Sequence, residues 1–228
     1  MCGRFALFAS AESLGEYFDL DEIPLAIRPL LTPRYNVAPG QAVAVIRSAA
    51  DVRRKLDMLR WGFVPYWAKD RSIGRRLINA RAETLAVKPA FRDAATRRRC
   101  LIAASGFYEW AKSASGAKQP FFVSRRDSEL LAFAGLWERW CGAGEPMLET
   151  CVIVTTEANS ALAGIHERMP VVLGVEDQSR WLDPATSVES CLRFVRTSAD
   201  FRAWPVGAGV NDPRYDAPSL IEAQTQSS

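Results

Sequence analysis

The sequence predicts a β-rich α+β fold built as one domain. Three observations carry this expectation. Short strand-like runs separated by turn residues fill the middle of the chain, helical signals are few and short, and no strand–helix alternation of the parallel type appears. The 228 residues would suffice for one large or two small domains. No repeat, low-complexity tract or Gly/Ser- or Pro-rich linker divides them, so a single domain over residues 1–221 is expected, with a loose polar tail over 222–228.

Taken in order, Ser10 is placed to cap a helix over Ala11–Phe18. Val43–Arg47 and Arg54–Trp61 read as strands joined by a turn at Ser48-Ala49-Ala50-Asp51. Pro89–Arg98 is a helix candidate, and Arg97-Arg98-Arg99 reads as its solvated end. Leu101–Ser105 and Phe107–Lys112 are strand candidates on either side of Gly106, which suits a bulge or a close backbone approach. Residues Ser113 to Lys118 read as a turn into a strand over Pro120–Arg125. Leu130–Arg139 and Met147–Thr155 are strands flanking a turn at Gly142-Ala143-Gly144-Glu145. Thr156 can cap a helix over Glu157–Ala163, Val171–Leu173 suits a short buried strand, and Val175–Leu182 is an amphipathic helix with acids in its first turn.

Composition excludes several classes. With 48% hydrophobic and 24% charged residues the chain is an ordinary globular one and not a disordered one. No apolar run approaches the roughly 18 residues that cross a bilayer, and the apolar stretch at the start is too short for an export signal. The five cysteines (2, 100, 141, 151 and 191) are therefore expected to be reduced, in a cytoplasmic protein, nucleoid-associated if bacterial. None forms a Cys-x-x-Cys pair, so no structural zinc is expected. No Gly-rich phosphate loop is present, so no nucleotide cofactor is expected either. His166 is the single histidine, and any histidine-dependent chemistry must use it. The alternative is a lone histidine satisfied by a neighbour.

The net charge of +3 is unevenly spread. Residues 53–100 hold 14 Lys or Arg against 4 Asp or Glu, a local +10 that leaves −7 for the rest. Such an excess makes either a polyanion-binding face or a solvated surface.

Cys2 is the most suggestive single residue. Were Met1 removed, Cys2 would carry a free α-amine beside its thiol. An α-amine has a pKa near 8 against about 10.4 for lysine, so a useful fraction is unprotonated at neutral pH. It can attack an aldehyde to give a Schiff base, and the thiol of the same residue can close onto the imine carbon as a thiazolidine.

Other motifs accompany it: Cys2-Gly3-Arg4-Phe5, Arg34-Tyr35-Asn36-Val37-Ala38-Pro39-Gly40, Trp61-Gly62-Phe63-Val64-Pro65, Asn79-Ala80-Arg81-Ala82-Glu83-Thr84, Gly106-Phe107-Tyr108-Glu109-Trp110, Ile165-His166-Glu167-Arg168-Met169-Pro170, and Trp204-Pro205-Val206 with Val210-Asn211. Together, and in this order, they resemble the SRAP family of abasic-site processing proteins linked to the SOS response. The resemblance runs from Cys2 to about Ile221. It implies a barrel-like, largely antiparallel sheet core flanked by short helices. It also implies covalent capture of abasic sites in single-stranded DNA, with no cofactor and no membrane partner.

The resemblance further implies roles. Cys2 would be the nucleophile, Glu109 the proton-transfer group, and His166 the residue that hydrogen-bonds or protonates the sugar oxygen and helps reverse the crosslink. Asn79 would orient the sugar or backbone and Arg81 would grip a phosphate. The alternative for this last pair is turn hydrogen bonds and a surface ion pair between Arg81 and Glu83. Arg4, Arg71, Arg75, Arg76 and Arg81 would line the DNA path, with Trp67 stacking on or wedging a base. Trp61 could be core or contact. Some members of the family carry a second aromatic directly after the Trp67 position, where this chain has Ala68. Two other functions use the same residues: a thiol peptidase, with the chain's own Met1 as one substrate, and a non-catalytic reader of modified DNA.

Overall fold

The structure is a computed structural model and describes residues 2–48, 54–112, 116, 118–194 and 200–224. Met1, residues 49–51 of the first predicted turn, residues 113–115 and 117 of the second, and residues 225–228 of the tail lie outside the described residues.

The strands and helices run β1 (Phe5–Leu7), α1 (Ala11–Tyr17), β2 (Arg34–Val37), β3 (Ala42–Arg47), β4 (Lys55–Trp61), β5 (Asn79–Arg81), α2 (Arg92–Arg97), β6 (Arg99–Ala104), β7 (Gly106–Lys112) and β8 (Lys118–Arg125). They continue with β9 (Leu131–Trp140), β10 (Leu148–Glu157), β11 (Arg168–Pro170), α3 (Val175–Leu182), α4 (Val188–Phe194) and β12 (Phe201–Pro205). The fold is mixed α+β and β-rich, with short helices.

Two sheets form. In the first the order is β12-β8-β7-β1-β2, all antiparallel. In the second, β10, β4, β3, β6 and β9 are neighbours in that order, and β9 pairs back onto β10. The five strands thus close into a barrel, and the only parallel step among them is β10 to β4. β5 runs parallel to β10 beyond β4, and β11 pairs antiparallel with the far end of β10.

Alternation along the strands divides the core in two. Ala44, Ile46, Leu101, Ala103, Ala132, Ala134, Val152 and Val154 pack with Leu14 of α1, Phe18 at its C-terminal end and Trp181 of α3. Helices cannot fit inside five strands, so this is the outer face. The intervening residues Val43, Val45, Cys100, Ile102, Phe133, Cys151 and Ile153 form the inner face, and Phe5, Phe107, Val123 and Phe201 of the first sheet pack onto it. Cys2 belongs to this inner cluster.

The predicted strands of the middle region and the helices α1 and α3 are present, and Ser10 caps α1 by accepting a hydrogen bond from the Ser13 backbone N–H at 3.1 Å. Gly106 sits at a close approach, where a Cβ would lie 2.7 Å from the Val123 carbonyl oxygen. Three readings need correction. Thr156 caps no helix, because β10 continues through Glu157 and Thr156 pairs with Met169. The short strand expected at Val171–Leu173 lies at Arg168–Pro170 instead, and Val172 makes only an isolated bridge to Phe133.

The third correction concerns the arginine triplet: Arg97 is the exposed last residue of α2, as read, but Arg98 and Arg99 turn to structural partners. Arg99 starts β6, is 4% exposed, and donates to the carbonyls of Ala95, Thr96, Trp181, Asp183 and Thr186. Its charge therefore answers the free carbonyls at the C-terminal ends of α2 and α3, where a cation is favoured. Arg98 pairs with buried Glu138 at 2.8 Å.

Candidate active site

The site lies at the seam where the first sheet meets the inner face of the barrel. Tyr108 donates its backbone N–H to the Arg4 carbonyl at 2.9 Å, which carries the β1–β7 pairing one residue beyond Phe5 towards Cys2. The two-residue period of β7 puts Glu109 on the same face as Phe107, the face that packs against Cys2. Tyr108, on the opposite face, donates its hydroxyl to the Tyr35 carbonyl at 2.7 Å.

Cys2 has no exposed surface and Glu109 only 4%. Burial pushes the Cys2 thiol well above its ordinary value, and the Glu109 charge adds to the effect. Burial likewise raises the Glu109 carboxyl, while the His166 charge pulls the other way.

Asn79 opens β5 opposite Ile153 of β10, and its Nδ2 donates to the Cys2 carbonyl at 2.8 Å. The Oδ1 of Asn79 is buried and has no hydrogen-bond partner among the described residues. A buried acceptor without a donor carries a penalty of about 1–3 kcal/mol, so this atom suits a donor brought by a ligand.

His166 lies in the connection from β10 to β11. Its backbone N–H donates to the Leu162 carbonyl at 3.1 Å, and its Nδ1 accepts from the Arg168 backbone N–H at 2.9 Å. Glu109, His166, Trp110, Lys112, Lys118 and Asn211 line one open pocket. Asn211 is held there by the Trp110 Nε1–H at 2.9 Å.

Arg81 ends β5 with its side chain exposed, in an adjoining groove with Glu157, Ala158, Glu167 and Arg168. It forms no ion pair with Glu83. Arg168 takes that carboxylate with both arms, at 2.7 and 3.0 Å, and the hydrogen bond holds the Glu83 pKa down.

The remaining candidates lie elsewhere. The Arg4 Nη1 donates to Asn36 Oδ1 at 2.8 Å and the Val210 carbonyl at 3.0 Å, beneath the site. Asn36 is fully buried and donates to the Asp212 and Tyr215 carbonyls, so its motif anchors the C-terminal segment. Trp61 is core, its Nε1–H bonded to the Ile78 carbonyl. Trp67 is 49% exposed beside exposed Tyr66, and the Ala68 carbonyl that follows accepts from Trp140 Nε1 at 2.7 Å.

Arg71, Arg75 and Arg76 are exposed on a 3₁₀ turn, and Arg71 pairs with Glu145 at 3.2 Å. Arg60, Arg71 and Arg75 flank a groove floored by Gly62 and Gly74. At Gly62 (φ +134°) a Cβ would meet the Gly74 carbonyl oxygen at 2.8 Å, and one at Gly74 would meet that of Gly62 at 2.7 Å. Both positions need glycine for this basic turn to dock on the end of β4.

The structure thus gathers Cys2, Asn79, Glu109 and His166, with Arg81 alongside, and spreads Trp67, Arg71, Arg75 and Arg76 over a second surface. Sequence reasoning passed over Lys112, Lys118, Asn211, Arg168 and Arg60 as site residues. Arg168 and Asn211 were within reach, since each stands in a recognised motif. The two lysines were not, because only the β7–β8 register places them opposite one another.

The profile of the family SOS response associated peptidase (SRAP) matches residues 1–213. The abasic site processing protein YoqW of Bacillus subtilis (strain 168) is 40% identical over 98% of this chain and 100% of its own. The abasic site processing protein YedK of Escherichia coli (strain K12) is 33% identical over 97% of this chain and 99% of its own. A crystal structure of a protein from Bacteroides thetaiotaomicron superposes with a TM-score of 0.87 at 23% identity, covering 98% of this chain and 100% of that one, and shows the same fold.

Proposed function

The chain belongs to the SRAP family, and from that premise we propose that it processes abasic sites in single-stranded DNA by forming a covalent thiazolidine through Cys2, freed of Met1. The observation that carries this reading is the meeting at Cys2 of an amide that holds its carbonyl and a buried carboxyl of raised pKa, which in turn shares a pocket with a histidine of fixed ring orientation.

The chemistry balances without a cofactor. An abasic deoxyribose opens to an aldehyde at C1′. The Cys2 amine adds to that carbon, and loss of one water leaves an imine. The Cys2 sulfur then adds to the same carbon, and its proton passes to the nitrogen, closing a five-membered ring. Glu109, raised by burial, can supply a proton to the departing oxygen and take one from the amine. His166 presents Nε2 to the ring-opening sugar. Asn79 keeps Cys2 in place, and its unpartnered Oδ1 can receive the amine N–H. Arg81, exposed and adjacent, meets a flanking phosphate. Trp67, with Arg71, Arg75 and Arg76, supports the strand away from the lesion by stacking and charge, so binding is salt-dependent and tolerant of sequence.

The family's description as a peptidase favours a second reading, in which the same thiol cleaves a peptide, the chain's own Met1 included. Cys2→Ser separates the alternatives. It keeps the amine and loses the sulfur, so a Schiff base and strand cleavage by β-elimination remain open to it while the heat-stable adduct disappears. Intact mass spectrometry after mixing with abasic single-stranded DNA reads Met1 removal and adduct together. An equally heat-stable adduct from Cys2→Ser would refute the thiazolidine, and a non-catalytic reader would give no adduct with either protein.

A further inference from the structure

We propose that Glu83, which touches neither Cys2 nor the pocket beside it, is a positioning residue that sets the ring tautomer and orientation of His166 through Arg168. The inference rests on the functional reading above. It uses contacts that the four gathered residues do not account for.

Glu83 sits in the 3₁₀ turn Ala82–Thr84 directly after β5. Its carboxylate grips the Arg168 guanidinium with both oxygens, Nη1 to Oε1 at 2.7 Å and Nη2 to Oε2 at 3.0 Å. The same Nη2 donates to the Thr155 carbonyl of β10 at 2.8 Å. A planar fork held by a carboxylate and a carbonyl has little rotational freedom. The Arg168 side chain is 11% exposed, so solvent reaches the guanidinium little, although the Glu83 side chain is 47% exposed. Arg168 is also the first residue of β11, and Ala158 N–H donates to the neighbouring Glu167 carbonyl at 2.9 Å.

Backbone and side chain therefore fix Arg168 together, and what its backbone does next matters. The Arg168 N–H donates to His166 Nδ1 at 2.9 Å, and the Arg168 carbonyl lies 3.2 Å from the same nitrogen. An amide N–H can only donate, and it is the nearer of the two groups, so Nδ1 presents its lone pair to it rather than a proton to the carbonyl. The neutral ring then carries its proton on Nε2, the nitrogen left for the pocket it shares with Glu109. The chain of command runs Glu83 carboxylate, Arg168 guanidinium, Arg168 backbone, His166 Nδ1, His166 Nε2–H.

The same clasp decides which arginine is available to a phosphate. Arg168 is committed to Glu83, whereas Arg81 is exposed and has no ion pair among the described residues. Removing the Glu83 charge would misplace the histidine while freeing a cation. The rate of chemistry should then fall with no loss of DNA affinity, a split that general loss of structure cannot produce.

His166 is the only histidine in the chain, so ¹⁵N-histidine NMR reports its tautomer without overlap. In the full-length protein the ring of wild type should be the Nε2–H form, and Glu83→Gln should show a mixture of both tautomers. With excess abasic single-stranded DNA, the single-turnover rate of adduct formation by Glu83→Gln should fall roughly ten- to a hundredfold, the scale of a misplaced reacting group. Its affinity for the same oligonucleotide carrying an unreactive tetrahydrofuran site should be unchanged or tighter. Glu83→Asp, which keeps the carboxylate, should recover part of the rate. An unaltered tautomer with an unaltered rate in Glu83→Gln would overturn the proposal. Should Glu83→Gln fail to fold, Arg168→Lys removes the fork and keeps the backbone N–H, and a wild-type tautomer in that variant would equally overturn it. The NMR comparison decides the matter even if wild type makes no adduct, an outcome that would instead sink the functional reading.

Discussion

Replacing Glu109 with glutamine tests the proposed chemistry and the electrostatics of the site in one protein. The substitution preserves shape and removes the titrating group from a position 4% exposed, where solvent has little access to replace it. Positioned proton transfer is worth about 10²–10⁴-fold, or about 3–5 kcal/mol of barrier. The rate of adduct formation at saturating abasic single-stranded DNA, followed by denaturing gel under single-turnover conditions, should therefore fall by about that factor.

Stability should move the other way, and the sign follows from linkage. Burial raises the Glu109 pKa above its ordinary 4.5, so the fold prefers the protonated acid. That preference contributes fully below pH 4.5 and is lost as pH rises through the raised value. Glutamine never ionises and escapes the loss. Glu109→Gln should then be more stable than wild type at pH 7 to 8, and thermal melts should show the gap closing as pH falls towards 4.5. A variant that crosslinks at the wild-type rate, or a stability gap that widens on acidification, would refute this account.

Two further substitutions separate binding from folding. Gly74→Ala places a Cβ 2.7 Å from the Gly62 carbonyl oxygen and 3.1 Å from Val64 Cγ2, so the basic turn must lift off β4. Overpacking of this kind costs about 1–3 kcal/mol in urea denaturation. Fluorescence anisotropy should show weaker binding of single-stranded DNA, and unchanged affinity would mean that Arg71, Arg75 and Arg76 do not act from this turn. Arg99→Met leaves five carbonyls without their donor, four of them at two helix ends, with an expected loss of about 3–5 kcal/mol. Its adduct rate well below its melting temperature should match wild type, and a specific loss of rate would place Arg99 in the site.

The parts of the fold legible in sequence are those with enough residues to show a period. β3, β4 and β6 to β10 have at least six residues each, and their alternation or continuous apolar character marks them. β1, β2, β5 and β12 have three to five residues, too few for a period, and what defines them is pairing with distant strands. Thr156 illustrates the limit. Locally it is a sound helix cap, and only the β10–β11 ladder, closed from twelve residues further on, claims it for a strand. The gathered site was visible as motifs but not as geometry. Nothing local to Asn79 says that its amide reaches the carbonyl of Cys2, a contact spanning 77 positions.

The basic stretch over 53–100 shows why a charge count is weaker evidence than a charge placed. Much of the excess has structural partners. Arg54 donates to the Phe18 carbonyl, Gln178 and Ser179, Arg98 pairs with Glu138, and Arg99 binds the helix ends. Glu138 and Glu145 come from the acidic remainder of the chain, so part of the apparent +10 is neutralised across the fold. Arg60, Arg75, Arg76 and Arg81 are exposed and make no ion pair among the described residues. The salt dependence of DNA binding should therefore track these few cations rather than the net charge of the segment, because only a cation not already paired releases a counterion when it meets a phosphate.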